Sequence, residues 1–123
     1  MDMYYKGCTG CALFYEEAMS KAEELYKESS DIIFVSVCTD ADMAMWKEMV
    51  KSKKYTSPDA GNILNLYTNG TGRKDALLEH YSINMYPLPV LIDKKGRIFD
   101  FSDKLTDKEY LMARISAALK QAD

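Results

Sequence analysis

The sequence has few cysteines, little excess charge and no long apolar run, and each shortage excludes a class of protein. Its 123 residues include three cysteines, too few for a disulfide scaffold that stands in for a hydrophobic core. The formal net charge of −3 argues against nucleic-acid binding, because proteins that bind nucleic acids usually carry a basic face. No run of about eighteen apolar residues is present to span a membrane, and no stretch has the charged start and apolar core of a signal peptide.

The composition that remains is that of an ordinary globular domain. Hydrophobic residues make up 47% of the chain and charged residues 28%, both typical of folded proteins. A chain of this length buries a sizeable core without disulfide support. We therefore expect a single domain over 1–123.

The apolar pattern of the first half predicts alternating strands and helices. A short tyrosine-rich segment over 1–6 is long enough for only the end of a strand. A helix is predicted over 12–27, with a buried stripe of apolar residues at spacings of three and four: Tyr15, Ala18, Ala22 and Leu25. The continuous apolar run over 31–38 is typical of a strand buried on both faces. Capping residues and a second periodic segment predict a helix over 39–53.

The second half is irregular in its middle and regular at its end. A short strand over 63–67 and a short helix over 73–81 are predicted there. The segments "VLI" and "RIFDF" predict two strands joined by the turn "DKKG". Thr106, with Glu109 three residues later, has the capping-box pattern that predicts the start of a last helix. The order β-α-β-α, then β-β-α, indicates an α/β fold.

Cys8 and Cys11 are the residues whose spacing indicates chemistry. They stand three positions apart, immediately before a predicted helix. This spacing is compatible with a redox pair, with half of a metal site, or with two unrelated small apolar residues. A tetrahedral zinc site needs four ligands. The spare candidates Cys38 and His80 lack the spacing of a second pair, so redox chemistry is favoured and no metal site is predicted.

The C-x-x-C between a strand and a helix, the segment "YPLPVLIDKKG" and the hairpin after it resemble the thioredoxin superfamily. The similarity is closer to the TlpA/ResA-like thiol-disulfide oxidoreductases of bacteria, and it runs from about Met3 to Phe101. It implies a thioredoxin-like three-layer α/β/α sandwich with a mixed sheet, a βαβ unit followed by a ββα unit. It also implies a cis-proline, which we assign to Pro87 because Asp93 and Gly96 then follow at the family spacing. Pro89 is expected within the next strand.

The resemblance implies roles for four residues. Cys8 would be the exposed nucleophile that attacks a substrate disulfide, and Cys11 the more buried thiol that resolves the mixed disulfide. The backbone of Tyr86, before the cis-proline Pro87, would pair with an extended substrate segment. The dithiol carries the electrons, so no cofactor is expected. The implied partners are protein thiols and disulfides and an upstream redox protein, and the implied location is periplasmic or otherwise exported.

Several residues depart from the family pattern. Gly7 stands where an aromatic residue is usual, Thr9-Gly10 replaces a dipeptide that commonly ends in proline, and Phe14 stands where ResA-like members carry a buried glutamate. The acid that thioredoxins place before the motif is expected upstream of Met1, and the first strand is expected to be short or truncated. These departures keep an alternative open, a thioredoxin-like binding or structural module without turnover.

Overall fold

The computed structural model describes residues 1–40 and 42–121. Within them the chain alternates between strands and helices in the predicted order, which confirms the α/β class. The strands are β1 (Asp2–Tyr4), β2 (Phe34–Cys38), β3 (Ile63–Tyr67), β4 (Leu91–Ile92) and β5 (Ile98–Asp100). The α-helices are α1 (Thr9–Phe14), α2 (Ser20–Leu25), α3 (Met43–Ser52), α4 (Ala76–His80) and α5 (Lys108–Leu119). A π-helical segment, Tyr15–Met19, joins α1 to α2, and short 3-10 helices cover Gly72–Lys74 and Asp103–Thr106.

Parallel and antiparallel strand pairs are both present, in two connected sheets. The first sheet has the order β1-β2-β3 and is parallel throughout. The second is the antiparallel hairpin of β4 and β5. The sheets meet where the Val90 N–H donates to the Met1 carbonyl at 2.7 Å and the Met1 ammonium donates to the Val90 carbonyl at 2.8 Å. Met1 and Val90 thus form a reciprocal pair of hydrogen bonds that joins the two sheets.

Helices cover both faces of the parallel sheet, as the predicted three-layer arrangement requires. On one face, buried side chains of the first helices and of α5 pack together around Phe34. Because strand residues alternate between faces, Val37 lies on the opposite side from Phe34. There Val37 packs with Met3 and with Leu78 of α4.

The long helix after β1 begins three residues earlier than predicted, at Thr9, and ends at Leu25. Its buried stripe is as predicted over Tyr15, Ala18 and Ala22. Leu25, predicted as the last residue of that stripe, is 63% exposed. The next residue, Tyr26, packs against the core instead. Tyr26 is the C-cap, where the backbone leaves the helical conformation, so the periodicity of the helix no longer decides which residue is buried.

The predicted capping box at Thr106 and Glu109 is wrong. Thr106 ends a 3-10 helix, where its hydroxyl donates to the Asp103 carbonyl at 2.8 Å. Asp107 is the N-cap of α5, and its carboxylate accepts the Tyr110 N–H at 3.0 Å. A carboxylate also interacts favourably with the positive end of the helix dipole, an advantage that a threonine hydroxyl lacks.

The hairpin of β4 and β5 is closed by the side chain of Asp93. Its Oδ1 atom accepts the backbone N–H groups of Lys95 and Arg97 at 2.9 and 3.0 Å. Gly96 occupies the turn at a φ of +79°, a conformation that glycine adopts without steric cost. Pro89 was expected within the strand, but β4 begins at Leu91. The proline therefore costs the hairpin no hydrogen bond.

None of the helices in the described part of the chain is long and apolar enough to cross a membrane.

Candidate active site

Cys8 and Cys11 form a disulfide at the start of α1, with their Cα atoms 5.2 Å apart. After β1 the chain turns at Gly7, whose φ of +90° is a conformation that glycine adopts without steric cost; TlpA/ResA-like proteins usually carry an aromatic residue at this position. Cys8 is the N-cap of α1, and its Sγ accepts the Cys11 N–H at 3.1 Å. The predicted position of Cys8 at the beginning of the helix is confirmed.

Both cysteines are buried in this oxidised form. Cys8 is 5% exposed and Cys11 is 1% exposed, so the prediction of an exposed first cysteine is wrong, although Cys8 is the more accessible of the two. Both belong to a buried cluster that includes Tyr4 and Tyr55, whose rings stack with their centres 5.4 Å apart. These aromatic side chains cover the disulfide on its inner side.

The Tyr86–Pro87 peptide bond is cis, and this dipeptide lies against the turn between the two cysteines. A Cβ atom added to Gly10 would lie 3.2 Å from Pro87 Cδ and 3.8 Å from the Tyr86 carbonyl oxygen. The missing side chain at Gly10 therefore allows this close approach. The structure thus brings the four residues predicted from the sequence, Cys8, Cys11, Tyr86 and Pro87, into one site.

Two residues at the edge of this site were not among those predicted. The Tyr5 carbonyl accepts the Cys8 N–H at 3.2 Å, and the Tyr5 ring meets the Tyr86 ring edge-to-face with centres 5.3 Å apart. The guanidinium of Arg73 lies over the Tyr5 ring, 4.4 Å from its centre. Arg73 is far from the cysteines in sequence and has no local pattern that could have indicated this position.

Asp2 is a buried carboxyl group that was also not among the predicted site residues. It is 2% exposed, and its Oδ1 has no hydrogen-bond partner among the described residues. Burial raises the pKa of Asp2 to about 7, although the nearby Met1 ammonium acts in the opposite direction. A buried acid is therefore present within β1, whereas the resemblance implied one upstream of Met1.

The side chain of Asp2 is on the face of the sheet that carries the cysteine cluster. Alternate residues of a strand share a face, so Asp2 and Tyr4 point to the same side. Tyr4 packs with Cys8 and Cys11, and the Cys11 Sγ lies 4.0 Å from the carbonyl oxygen of Met3. The alternation of strand residues, which places Asp2 on the same face as Tyr4, is the signal in the sequence that could have indicated it.

Cys38 and His80, the other candidate ligands, do not join the cysteine pair in a metal site. Cys38 is buried at the end of β2, where its thiol donates to Asp40 Oδ2 at 3.5 Å, and burial raises its pKa to about 12. His80 is exposed and meets Tyr81 edge-to-face. No group of three or more histidine, cysteine, aspartate and glutamate side chains in the described residues could hold a metal ion.

A small cavity of about 150 Å³ opens beside the cysteine turn, lined in part by Gly7, Thr9 and Tyr55. A larger apolar cleft of about 700 Å³ lies between the two sheets and α5. Although it is larger, this cleft holds neither cysteine and no residue of the Tyr86–Pro87 dipeptide. The smaller cavity flanks the turn, but neither cysteine and neither residue of that dipeptide lines it.

No protein-family model and no curated protein sequence matches the chain, but three solved structures share its architecture. A Chlorobium tepidum protein described as a thiol:disulfide interchange protein DsbE is 22% identical with a TM-score of 0.70, and the match covers 96% of this chain and 77% of that one. The fold is thioredoxin-like. The thioredoxin domain of a Bacteroides vulgatus thiol-disulfide oxidoreductase is 22% identical with a TM-score of 0.63, covering 91% and 74% of the two chains. A thiol:disulfide interchange protein of a Bacteroides species is 21% identical with a TM-score of 0.66, covering 99% and 72%.

Proposed function

We propose that this thioredoxin-like chain is a thiol-disulfide oxidoreductase that exchanges disulfides with protein substrates. The observation that carries the proposal is the Cys8–Cys11 disulfide at the start of α1, with the cis dipeptide Tyr86–Pro87 packed against the intervening Gly10. The three structural neighbours, each described as a thiol:disulfide interchange protein or thiol-disulfide oxidoreductase, support the same activity.

In the proposed reaction the two cysteines act in sequence. The Cys8 thiolate attacks one sulfur of a substrate disulfide, forms a mixed disulfide and releases the other substrate sulfur as a thiolate. The Cys11 thiolate then attacks the Cys8 sulfur, releases the second substrate thiolate and closes the Cys8–Cys11 disulfide. Two electrons pass to the substrate, and the reverse sequence oxidises a substrate dithiol. The Cys11 N–H, which donates to Cys8 Sγ in the disulfide, is positioned to stabilise a Cys8 thiolate.

We assign substrate binding to the backbone of Tyr86 and Pro87. An extended polypeptide that pairs with an exposed backbone gains main-chain hydrogen bonds without a sequence requirement. Because Pro87 packs against Gly10 between the two cysteines, a segment bound there would pass alongside Cys8. The substrate sulfur would then be presented to the nucleophile.

We assign to Asp2 the role of proton acceptor for Cys11. A carboxyl group with a pKa of about 7 can take up and release a proton near neutral pH. Asp2 lies on the sheet face that carries the cysteine cluster, and one of its oxygens has no hydrogen-bond partner among the described residues. Transfer of the Cys11 proton to this oxygen would generate the thiolate that resolves the mixed disulfide.

The proposal implies partners but no dissociable cofactor. The dithiol itself carries the two electrons, so an upstream redox protein must reset it after each turnover. From the resemblance to TlpA/ResA-like proteins we infer a periplasmic or otherwise exported location in a bacterium.

One observation favours an alternative, a thioredoxin-like binding or structural module without turnover. Cys8 is only 5% exposed, so an incoming disulfide reaches its sulfur only if the neighbouring side chains move. In such a module the Cys8–Cys11 disulfide would act only as a covalent brace for the start of α1.

Trapping of the mixed disulfide distinguishes the two functions. The reduced Cys11→Ala variant is expected to accumulate a covalent adduct between Cys8 and a disulfide-containing substrate, because the resolving thiol is absent. The Cys8→Ala variant, which keeps Cys11, serves as the matched control and is expected to form little adduct. Mass spectrometry locates the bond. Absence of the Cys8 adduct would favour the module without turnover.

A further inference from the structure

We propose that Arg73 determines substrate specificity by binding a carboxylate of the protein substrate near its reactive disulfide. The inference rests on the proposed function and names a substrate class for it, protein segments with an acidic residue close to the cysteine. It follows from the position of Arg73 on an aromatic pair beside the cysteine turn.

Arg73 is held next to the site by two tyrosine rings. Its guanidinium carbon lies 4.4 Å from the centre of the Tyr5 ring and 5.7 Å from that of the Tyr86 ring. Both tyrosines belong to the site through their backbones, since the Tyr5 carbonyl accepts the Cys8 N–H and Tyr86 precedes the cis-proline Pro87. A substrate segment that follows the Tyr86 backbone therefore passes close to the guanidinium.

The turn that carries Arg73 is fixed by hydrogen bonds. The Thr68 hydroxyl accepts the Gly72 N–H at 3.1 Å. The Thr71 hydroxyl lies 2.6 Å from the Thr68 carbonyl and 2.9 Å from Asp75 Oδ2. Gly72 is buried and has a φ of +57°, which allows the chain to turn tightly before Arg73. The backbone of the arginine is thus held in place before substrate arrives.

No carboxylate in the described part of the chain pairs with Arg73. The acid nearest in sequence, Asp75, has other partners, because its two oxygens lie within hydrogen-bond distance of the Thr71 hydroxyl and the Leu77 N–H. Contact with an aromatic ring occupies the flat face of a guanidinium and leaves the N–H groups at its edge free to donate. Arg73 is exposed, so these donors face solvent at the rim of the site.

The acceptor that best fits these donors is a carboxylate. Arginine binds a carboxylate through two parallel hydrogen bonds, which lysine cannot reproduce. Glutathione disulfide also carries carboxylates, and the test below separates it from a protein substrate. Because the proposed function acts on proteins, we assign the carboxylate to an aspartate or glutamate of a protein substrate.

The test compares disulfide-linked dimers of a short peptide with one cysteine. A single glutamate, or a glutamine as its neutral match, is placed at successive positions on either side of that cysteine, and glutathione disulfide is assayed alongside. The rate at which the reduced protein forms its Cys8–Cys11 disulfide is measured in single turnover. At one or two positions glutamate is expected to raise the rate about threefold over glutamine, the size of one exposed charge pair. High salt is expected to reduce this preference.

The Arg73→Gln variant is expected to lose the preference, so that its rates with the glutamate and glutamine peptides become equal. Lys74→Gln removes the same charge from the next residue of the turn and serves as the matched control, expected to retain the preference. Equal rates for glutamate and glutamine peptides, or a preference that survives Arg73→Gln, would overturn the inference and leave the proposed function intact. An Arg73-dependent preference limited to glutathione disulfide would also overturn it. If the wild type reduces none of these disulfides, the proposed function fails and the inference fails with it.

Discussion

Replacement of Asp2 by asparagine is expected to stabilise the protein, and more so as the pH rises. Burial raises the pKa of Asp2 from an ordinary 3.8 to about 7, so the folded state prefers the protonated acid. The protein therefore loses stability as the pH rises from the pKa of Asp2 in the unfolded chain to its pKa in the folded protein. At about 1.4 kcal/mol per unit, the loss is about 2 kcal/mol near pH 5 and about 4 kcal/mol near pH 8. Asparagine does not ionise and avoids this loss.

The assay is urea denaturation of the oxidised wild type and of Asp2→Asn at both pH values. The variant is expected to have a higher free energy of unfolding than the wild type. This difference is expected to be about 2 kcal/mol larger at the higher pH than at the lower pH. Comparison between two pH values cancels any constant difference in packing between the acid and the amide. Asp31→Asn, at an exposed aspartate, is the matched control. A gain that is the same at both pH values would refute the assignment of a buried carboxylate that ionises near neutral pH.

Three further predictions test the site and the fold. Asp2→Asn is expected to slow resolution of the mixed disulfide by roughly 10²-fold, the usual loss when a general base is removed, as measured by quenched-flow alkylation. Asp107→Ala is expected to cost about 1 kcal/mol of unfolding free energy through loss of the helix cap, whereas Thr106→Ala costs less, as measured by urea denaturation. Gly10→Ala is expected to change stability by less than about 1 kcal/mol, because helix propensity improves. It is expected to slow disulfide exchange, since the new methyl group would lie 3.2 Å from Pro87 Cδ. An unchanged exchange rate would contradict the importance of that close approach.

Features that depend on neighbouring residues could be predicted from the sequence. The buried apolar run predicted β2. The turn "DKKG" predicted the hairpin, because Asp93 supplies the hydrogen bonds and Gly96 the conformation that the turn requires. The position of Cys8 before α1 was also predictable, since a strand, a glycine turn and a periodic segment follow one another directly. In each case the physical cause lies within a few residues of the feature.

Features that depend on distant contacts could not be predicted in the same way. Cys8 is buried in a cluster that includes the distant Tyr55, and Arg73 lies against the rings of Tyr5 and Tyr86. Neither arrangement leaves a local pattern. The capping residue of α5 was predicted wrongly for a different reason. Thr106 and Asp107 are adjacent, and both are residue types that cap helices.

The central claim is that Cys8 and Cys11 form a reversible redox couple. The measurement that tests it most directly is an equilibrium titration with reduced and oxidised dithiothreitol, followed by alkylation and mass spectrometry to locate each free thiol. We expect a two-electron transition between Cys8 and Cys11, with a potential in the range of roughly −270 to −120 mV found for such proteins. Cys38, buried and without a disulfide partner, is expected to remain a thiol throughout. If Cys8 and Cys11 stay free across the titration, or pair only irreversibly, the account is contradicted.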